Sequence, residues 1–124
     1  MKWILLVLAL FLALIPSHSR AEDALDKVNQ VRAERGLHPF KRAADLTIAA
    51  RDCCRYRMAH HISFHTSNDF RFVPAGSSAS AAGCACWPLG SGWGACCTYE
   101  DWREAGAWWS KGDDGRQYMH LFVR

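Results

Sequence analysis

The chain has 124 residues, half of them hydrophobic, with six cysteines and six tryptophans. Its formal charge is +3, of which Lys2 and Arg20 supply two, leaving +1 for everything after residue 21. So small an excess excludes electrostatic recognition of nucleic acid or of an anionic membrane surface, and the length supports one small domain.

The first 21 residues read as an export leader. Met1-Lys2 is a short basic start, Trp3 to Ile15 is an unbroken apolar run, and Pro16 breaks it. Ser19-Arg20-Ala21 then places small residues three before and one before a cut. The run falls short of the ~20 apolar residues that cross a bilayer, which favours a cleaved leader over an anchor. The expected organisation is a signal peptide over 1–21 and a single domain over 22–124. The expected location is outside the cytoplasm: secreted, periplasmic or in the cell envelope. Cys53, Cys54, Cys84, Cys86, Cys96 and Cys97 all follow the leader. An even set of exported cysteines reads as a disulfide framework whose pairing the sequence leaves open.

In residues 24 to 35, Leu25, Val28 and Val31 recur at three-residue steps among polar neighbours, which predicts a surface helix. Gly36 stands where a left-handed cap is wanted. Leu37, Pro39 and Phe40 make an apolar connector. A second helix is expected from about Ala43 to His60, with Leu46, Ala49, Ala50 and Cys53 on one side and Arg51 and Arg55 on another. Neighbouring helix positions diverge by about 100°, so Cys53 should face the core and Cys54 a loop, or the reverse. His65 to Phe72 turns irregular. Pro74 to Gly94 reads as a long loop with at most one short strand, held by cysteine cross-links. Tyr99 to Glu104 reads as a turn or connector. The last segments form a hairpin, Ala105 to Lys111 and Arg116 to Val123, around Gly112-Asp113-Asp114-Gly115. Tyr118, His120 and Phe122 share one face of the final strand, and Met119, Leu121 and Val123 share the other. Both sets are largely apolar, so helices should cover both sides of the sheet.

Three blocks resemble the CAP superfamily of cysteine-rich secretory, antigen 5 and pathogenesis-related proteins. They are Asn29-x-x-Arg32-x-x-x-Gly36-Leu37-x-Pro39-Phe40 followed by Leu46 and Ala49-Ala50, then Phe64-His65-Thr66-Ser67, then Tyr118-x-His120-x-Phe122. The resemblance implies a reduced α-β-α sandwich of α+β class. Two N-terminal helices would lie on a small antiparallel sheet ending in a hairpin, linked by disulfides. It also implies a cleft pairing two histidines with two acids, able to hold a divalent metal. His65 matches the first histidine. His120 is either the second or a strand position that holds Gln in relatives. Glu100 and Glu104 are the candidate acids, although the family's Gly-Glu-Asn motif has no copy here, its nearest counterpart being Gly83-Cys84-Ala85-Cys86-Trp87.

Four chemistries suit the remaining residues. His60, His61 and His65 are close enough in sequence to suggest a metal site, without an acid at a convincing spacing; exposed histidines at a helix end are the favoured explanation. A cysteine nucleophile is disfavoured against disulfides. His65, Ser67 and Asp69 supply hydrolase residue types, in a spacing that more often makes a turn. Trp87, Trp93 and Trp109 are the ligand-binding candidates, because five tryptophans after the leader exceed what so small a core readily hides. No cofactor is implied beyond that divalent metal. The expected function is a non-enzymatic, CAP-like module that binds an apolar ligand or an extracytoplasmic protein. The alternatives are a metal-dependent or histidine-assisted hydrolase and a structural envelope protein.

Overall fold

The Leu25–Val28–Val31 stripe does form a helix, α1, spanning Ala24–Glu34. A computed structural model describes residues 23–90, 92–93 and 96–124; the expected signal peptide lies outside these. Asp23 caps α1 by accepting the Asp26 N–H at 2.8 Å, and the Asp26 carboxylate returns the bond to the Asp23 N–H. Gly36 closes the helix at φ +71°, and the Leu37 N–H reaches back to the Arg32 carbonyl at 3.0 Å. Asn29 then staples the connector, accepting the Phe40 N–H at 2.8 Å and donating to the Phe40 carbonyl at 3.1 Å.

Strand β1 is the pair Lys41–Arg42, followed by helix α2, Ala44–Ala59. Strands β2, Ala81–Trp87, β3, Glu104–Lys111, and β4, Gln117–Val123, complete a four-stranded sheet in the order β1-β3-β4-β2. The fold is α+β, as expected, but the sheet is mixed rather than antiparallel. β1 runs parallel to β3, pinned by the Lys41 N–H on the Arg103 carbonyl and the Ala43 N–H on the Ala105 carbonyl, both 2.9 Å.

Both faces of β4 are covered, as its apolar alternation requires. Met119, Leu121 and Val123 pack with Ala105 and Ala107 under Leu25, Val28 and Phe40 on the α1 side. On the other side Phe122 lies under Leu46, Ala49, Ala50 and Cys53 of α2. That helix rests directly on the sheet. A Cβ added at Gly106 would sit 2.0 Å from the Leu46 carbonyl carbon and the Thr47 nitrogen, so only glycine admits the approach.

The segment expected to be a loop with at most a short strand contains seven-residue β2, paired with β4 along its whole length. Ala-Ala-Gly-Cys-Ala-Cys-Trp has no β-branched residue; the exposed edge of apolar β4 imposes the strand. Cys54 also departs from expectation. Both neighbouring cysteines are fully buried: Cys53 packs beside Phe122, while Cys54 packs on Cys86 and Tyr118 and donates to the Tyr118 carbonyl at 3.3 Å. The sheet is wide enough under α2 to receive both directions.

Among the described residues no two cysteines stand at disulfide distance, and the Cys96 side chain lies outside them. Two fully buried arginines hold the irregular segments. Arg57 donates from Nε to Phe64 O at 2.7 Å, from Nη2 to Ser63 O at 2.6 Å and Ala85 O at 3.1 Å, and from Nη1 to Met119 O. Arg32 donates to His38 O at 2.8 Å, Thr98 O at 2.8 Å and Glu100 O at 2.9 Å. Charged hydrogen bonds of this kind contribute about 1.5–3 kcal/mol each, against which stands the cost of burying the guanidinium, and Arg32 Nη2 has no partner among the described residues.

Candidate functional site

Two candidate sites lie on opposite faces of the sheet. On the α2 face, the segment leaving α2 brings His65 and then Asp69 over β4, where His120 sits mid-strand opposite Cys84 and Trp108. The His65 and His120 ring centroids are 6.3 Å apart and nearly perpendicular. Asp69 lies between them. Its Oδ1 accepts the Thr66 N–H at 2.7 Å and the Thr66 hydroxyl at 2.6 Å. Its Oδ2 accepts from His65 Nδ1 and stands 3.6 Å from His120 Nε2. Asp69 and His120 are buried, whereas half of the His65 side chain is exposed. Cys53 comes up from α2 beneath them. One ligand atom from each of Cys53, Asp69 and His120 lies within 4.8 Å of the others.

Charge at this centre is set by burial and by neighbours. Burial alone would raise the Asp69 carboxyl, but hydrogen bonds from Thr66 and His65 and the nearby His120 hold it below the usual carboxylate range. Burial pushes His120 below the ordinary imidazole value; Arg57 and His65 add to this and Asp69 opposes it. Burial, then Asp69, pushes the Cys53 thiol up. Arg57 Nη1 lies 3.4 Å from His120 Nδ1. A guanidinium can only donate, so neutral His120 carries its proton on Nε2. That buried nitrogen has no hydrogen-bond partner.

The cleft implied by the resemblance is therefore not assembled as expected. The two histidines meet, but the acid they share is Asp69. Glu100 accepts the Trp102 indole N–H at 3.1 Å on the surface, and Glu104 pairs with Arg124 at 3.1 Å. The His60-His61-His65 group is not brought together either. His60 stacks on Tyr56 at 4.2 Å, and His61 Nε2 faces Asp113 at 3.1 Å. The His65-Ser67-Asp69 grouping does line one hollow of about 290 Å³. Among the described residues no hydrogen bond joins Ser67 to His65 there.

On the α1 face the three tryptophans singled out from sequence line one groove. Trp87 ends β2, Trp109 points from β3 away from its neighbour Trp108, and Trp93 comes from the segment after β2. With Tyr99, Lys27 and Met119 they bound about 310 Å³. The Trp93 and Trp109 ring centroids are 6.4 Å apart at 37°. Trp93 is 7% exposed and Trp87 57%, so one forms the floor and the other a free wall. The Trp93 indole N–H has no hydrogen-bond partner among the described residues. Lys27 Nζ is held at the rim by Gln30 at 3.1 Å.

Arg57, Lys27 and Tyr99 were not foreseen as parts of either site. One signal for Arg57 was present: it continues the Leu46–Ala50–Cys53 stripe at the next four-residue step. Among the described residues no helix is long and apolar enough to cross a membrane. Compared with known protein families, with curated proteins and with solved structures, the chain matches none.

Proposed function

We propose that this chain is an exported, CAP-like binding module whose tryptophan groove takes one small ring-bearing molecule with a hydrogen-bond acceptor. The observation that carries this reading is the convergence of Trp87, Trp93 and Trp109, from three separate segments, on a single groove. A volume of about 310 Å³ sits at the lower end of small-molecule sites, so the ligand is compact rather than a long acyl chain. Stacked indoles favour a flat apolar face. The ammonium of Lys27, the Tyr99 hydroxyl and the unpartnered Trp93 N–H favour an acceptor or anionic group at the ligand's edge.

Anilinonaphthalene sulfonate, an aromatic anion, is the probe that tests this. Its fluorescence should rise on binding the folded protein, and Trp87→Ala should weaken that binding at least tenfold while His65→Ala leaves it unchanged. Equal affinity in wild type and Trp87→Ala would remove the groove from consideration.

A second reading, a histidine-assisted hydrolase, is favoured by one observation: buried Asp69 orients half-exposed His65 through Nδ1, as the acid of a catalytic triad orients its base. It requires ester hydrolysis that disappears in His65→Ala. The envelope-protein reading requires neither binding nor turnover.

A further inference from the structure

Resting on the groove reading above, we infer that the ligand is an aromatic monocarboxylate, with its ring against Trp87 and Trp109 and its carboxylate held at the rim by Lys27. The aromatic walls alone leave two classes of ligand open. Indole faces stack a flat ring, and they equally cage a cation. The charged lining separates the two. Among the described residues the groove is bounded by one ammonium, that of Lys27, and by no aspartate or glutamate. A bound cation would meet that ammonium with no carboxylate to balance it, whereas a carboxylate is drawn to it.

The second observation is an excess of donors. An ammonium and an indole nitrogen donate and never accept, so Lys27, Trp87, Trp93 and Trp109 bring no side-chain acceptor to the lining. Lys27 Nζ gives one N–H to Gln30 at 3.1 Å. That contact fixes the ammonium at the rim and leaves its other two N–H groups for a ligand. The buried Trp93 N–H has no partner among the described residues. A lining so short of acceptors suits a molecule that brings them, and a carboxylate brings two oxygens.

The positive charge comes from one stripe of α1. Lys27, Val31 and Arg35 follow each other at four-residue steps, which puts them in a row along the helix. Lys27 and Val31 line the groove. Arg35 lays its guanidinium on the ring of Tyr99, another lining residue, at 3.5 Å. A second cation therefore backs the wall beside the first, outside the lining. Among the described residues only Lys27 brings a formal charge to the hollow itself, which matches a single negative charge rather than a phosphate dianion.

The test is isothermal titration of the full chain with three probes of one shape: 2-naphthoate, neutral 2-naphthamide and the 2-naphthylmethylammonium cation. At low salt 2-naphthoate should bind at least about threefold tighter than the amide, the margin of one half-exposed ion pair, and the ammonium compound should bind most weakly. The margin should shrink at about 1 M salt, where screening acts over about 3 Å. Lys27→Met should bring the ratio of naphthoate to naphthamide affinity close to one, and Lys27→Arg should keep it. Equal affinity for naphthoate and amide, tightest binding of the ammonium compound, or a carboxylate preference that persists in Lys27→Met would each overturn the carboxylate assignment. Under any of those results, loss of binding in Trp87→Ala would leave the groove reading standing. Failure of all three probes to bind would overturn the assignment, and with unchanged dye binding in Trp87→Ala the groove reading would fall too.

Discussion

The two faces of the sheet come from the same alternating strands, yet they bury different chemistry. Under α1, β4 presents Met119, Leu121 and Val123 to an apolar cluster that opens into an aromatic groove. Under α2, the same strand presents Tyr118, His120 and Phe122, and a histidine, an aspartate and an arginine lie among them without solvent. Apolar burial fixes neither direction nor partner, so the α1 face can leave a hollow and remain stable. Buried polar groups call for partners, so the α2 face is held by named hydrogen bonds from Arg57 and Thr66, with His120 Nε2 the exception. The difference is one of constraint: the aromatic side carries an open groove, and the polar side holds named atoms at fixed distances.

Substitutions on the two faces should therefore fail differently. Arg57→Met leaves the carbonyls of Ser63, Phe64, Ala85 and Met119 without their donor, and should cost at least about 4 kcal/mol in urea unfolding. Arg32→Met, which frees three carbonyls instead of four, should cost less; an equal or larger loss would break the proposed asymmetry. Gly106→Ala forces α2 off β3, and a loss of about 3 kcal/mol is expected from the same measurement. A stability change below about 0.5 kcal/mol would mean the helix yields freely, and the α2 face is not tight.

Acid sharpens the comparison at the corner where α2 meets the sheet. The Arg124 guanidinium, bonded at 2.6 Å, holds the Asp45 carboxyl down at about 2, with Ser77 and the Leu46 backbone assisting and burial opposing. A carboxylate depressed in the folded state stabilises it fully above the unfolded value of about 4. That contribution fades as pH falls from about 4 toward 2. The urea midpoint should drop across this window, and the drop should be shallower in Asp45→Asn. Parallel curves would show that Arg124 does not hold α2 to the sheet. The smallest effect belongs to the open groove. Trp87→Ala should change stability by no more than about 0.5 kcal/mol, since the ring is more than half exposed, and a larger loss would make it part of the core.

Helices and hairpin were legible because their signals are local. Leu25, Val28 and Val31 repeat at helical steps, Gly36 ends the first helix, and Asp114-Gly115 turns the hairpin. The three groove tryptophans were legible as a surplus of aromatic surface. Strand β2 was not, because its alanines and cysteines carry no strand preference and its pairing is dictated by residues 30 to 42 positions later. The Asp69 centre was half legible. His65, Asp69 and His120 stood out by type, but the join between them depends on how a loop folds back over the sheet. The buried arginines carried the subtlest signal. Arg32 and Arg57 each prolong an apolar stripe, Leu25–Val28–Arg32 and Leu46–Ala50–Cys53–Arg57, and a charge on such a stripe reads by default as solvent-facing.

The strand order β1-β3-β4-β2 bears on how the chain is made. Among the described residues β2 pairs with no strand but β4, so a nascent polypeptide halted after Trp87 holds a ribbon with nothing to zip onto and a second helix with no floor beneath it. Long-range pairing of this sort is slow and leaves greasy surface bare until synthesis has passed Val123. A chaperone would meet an unfolded client for nearly the whole of its translation.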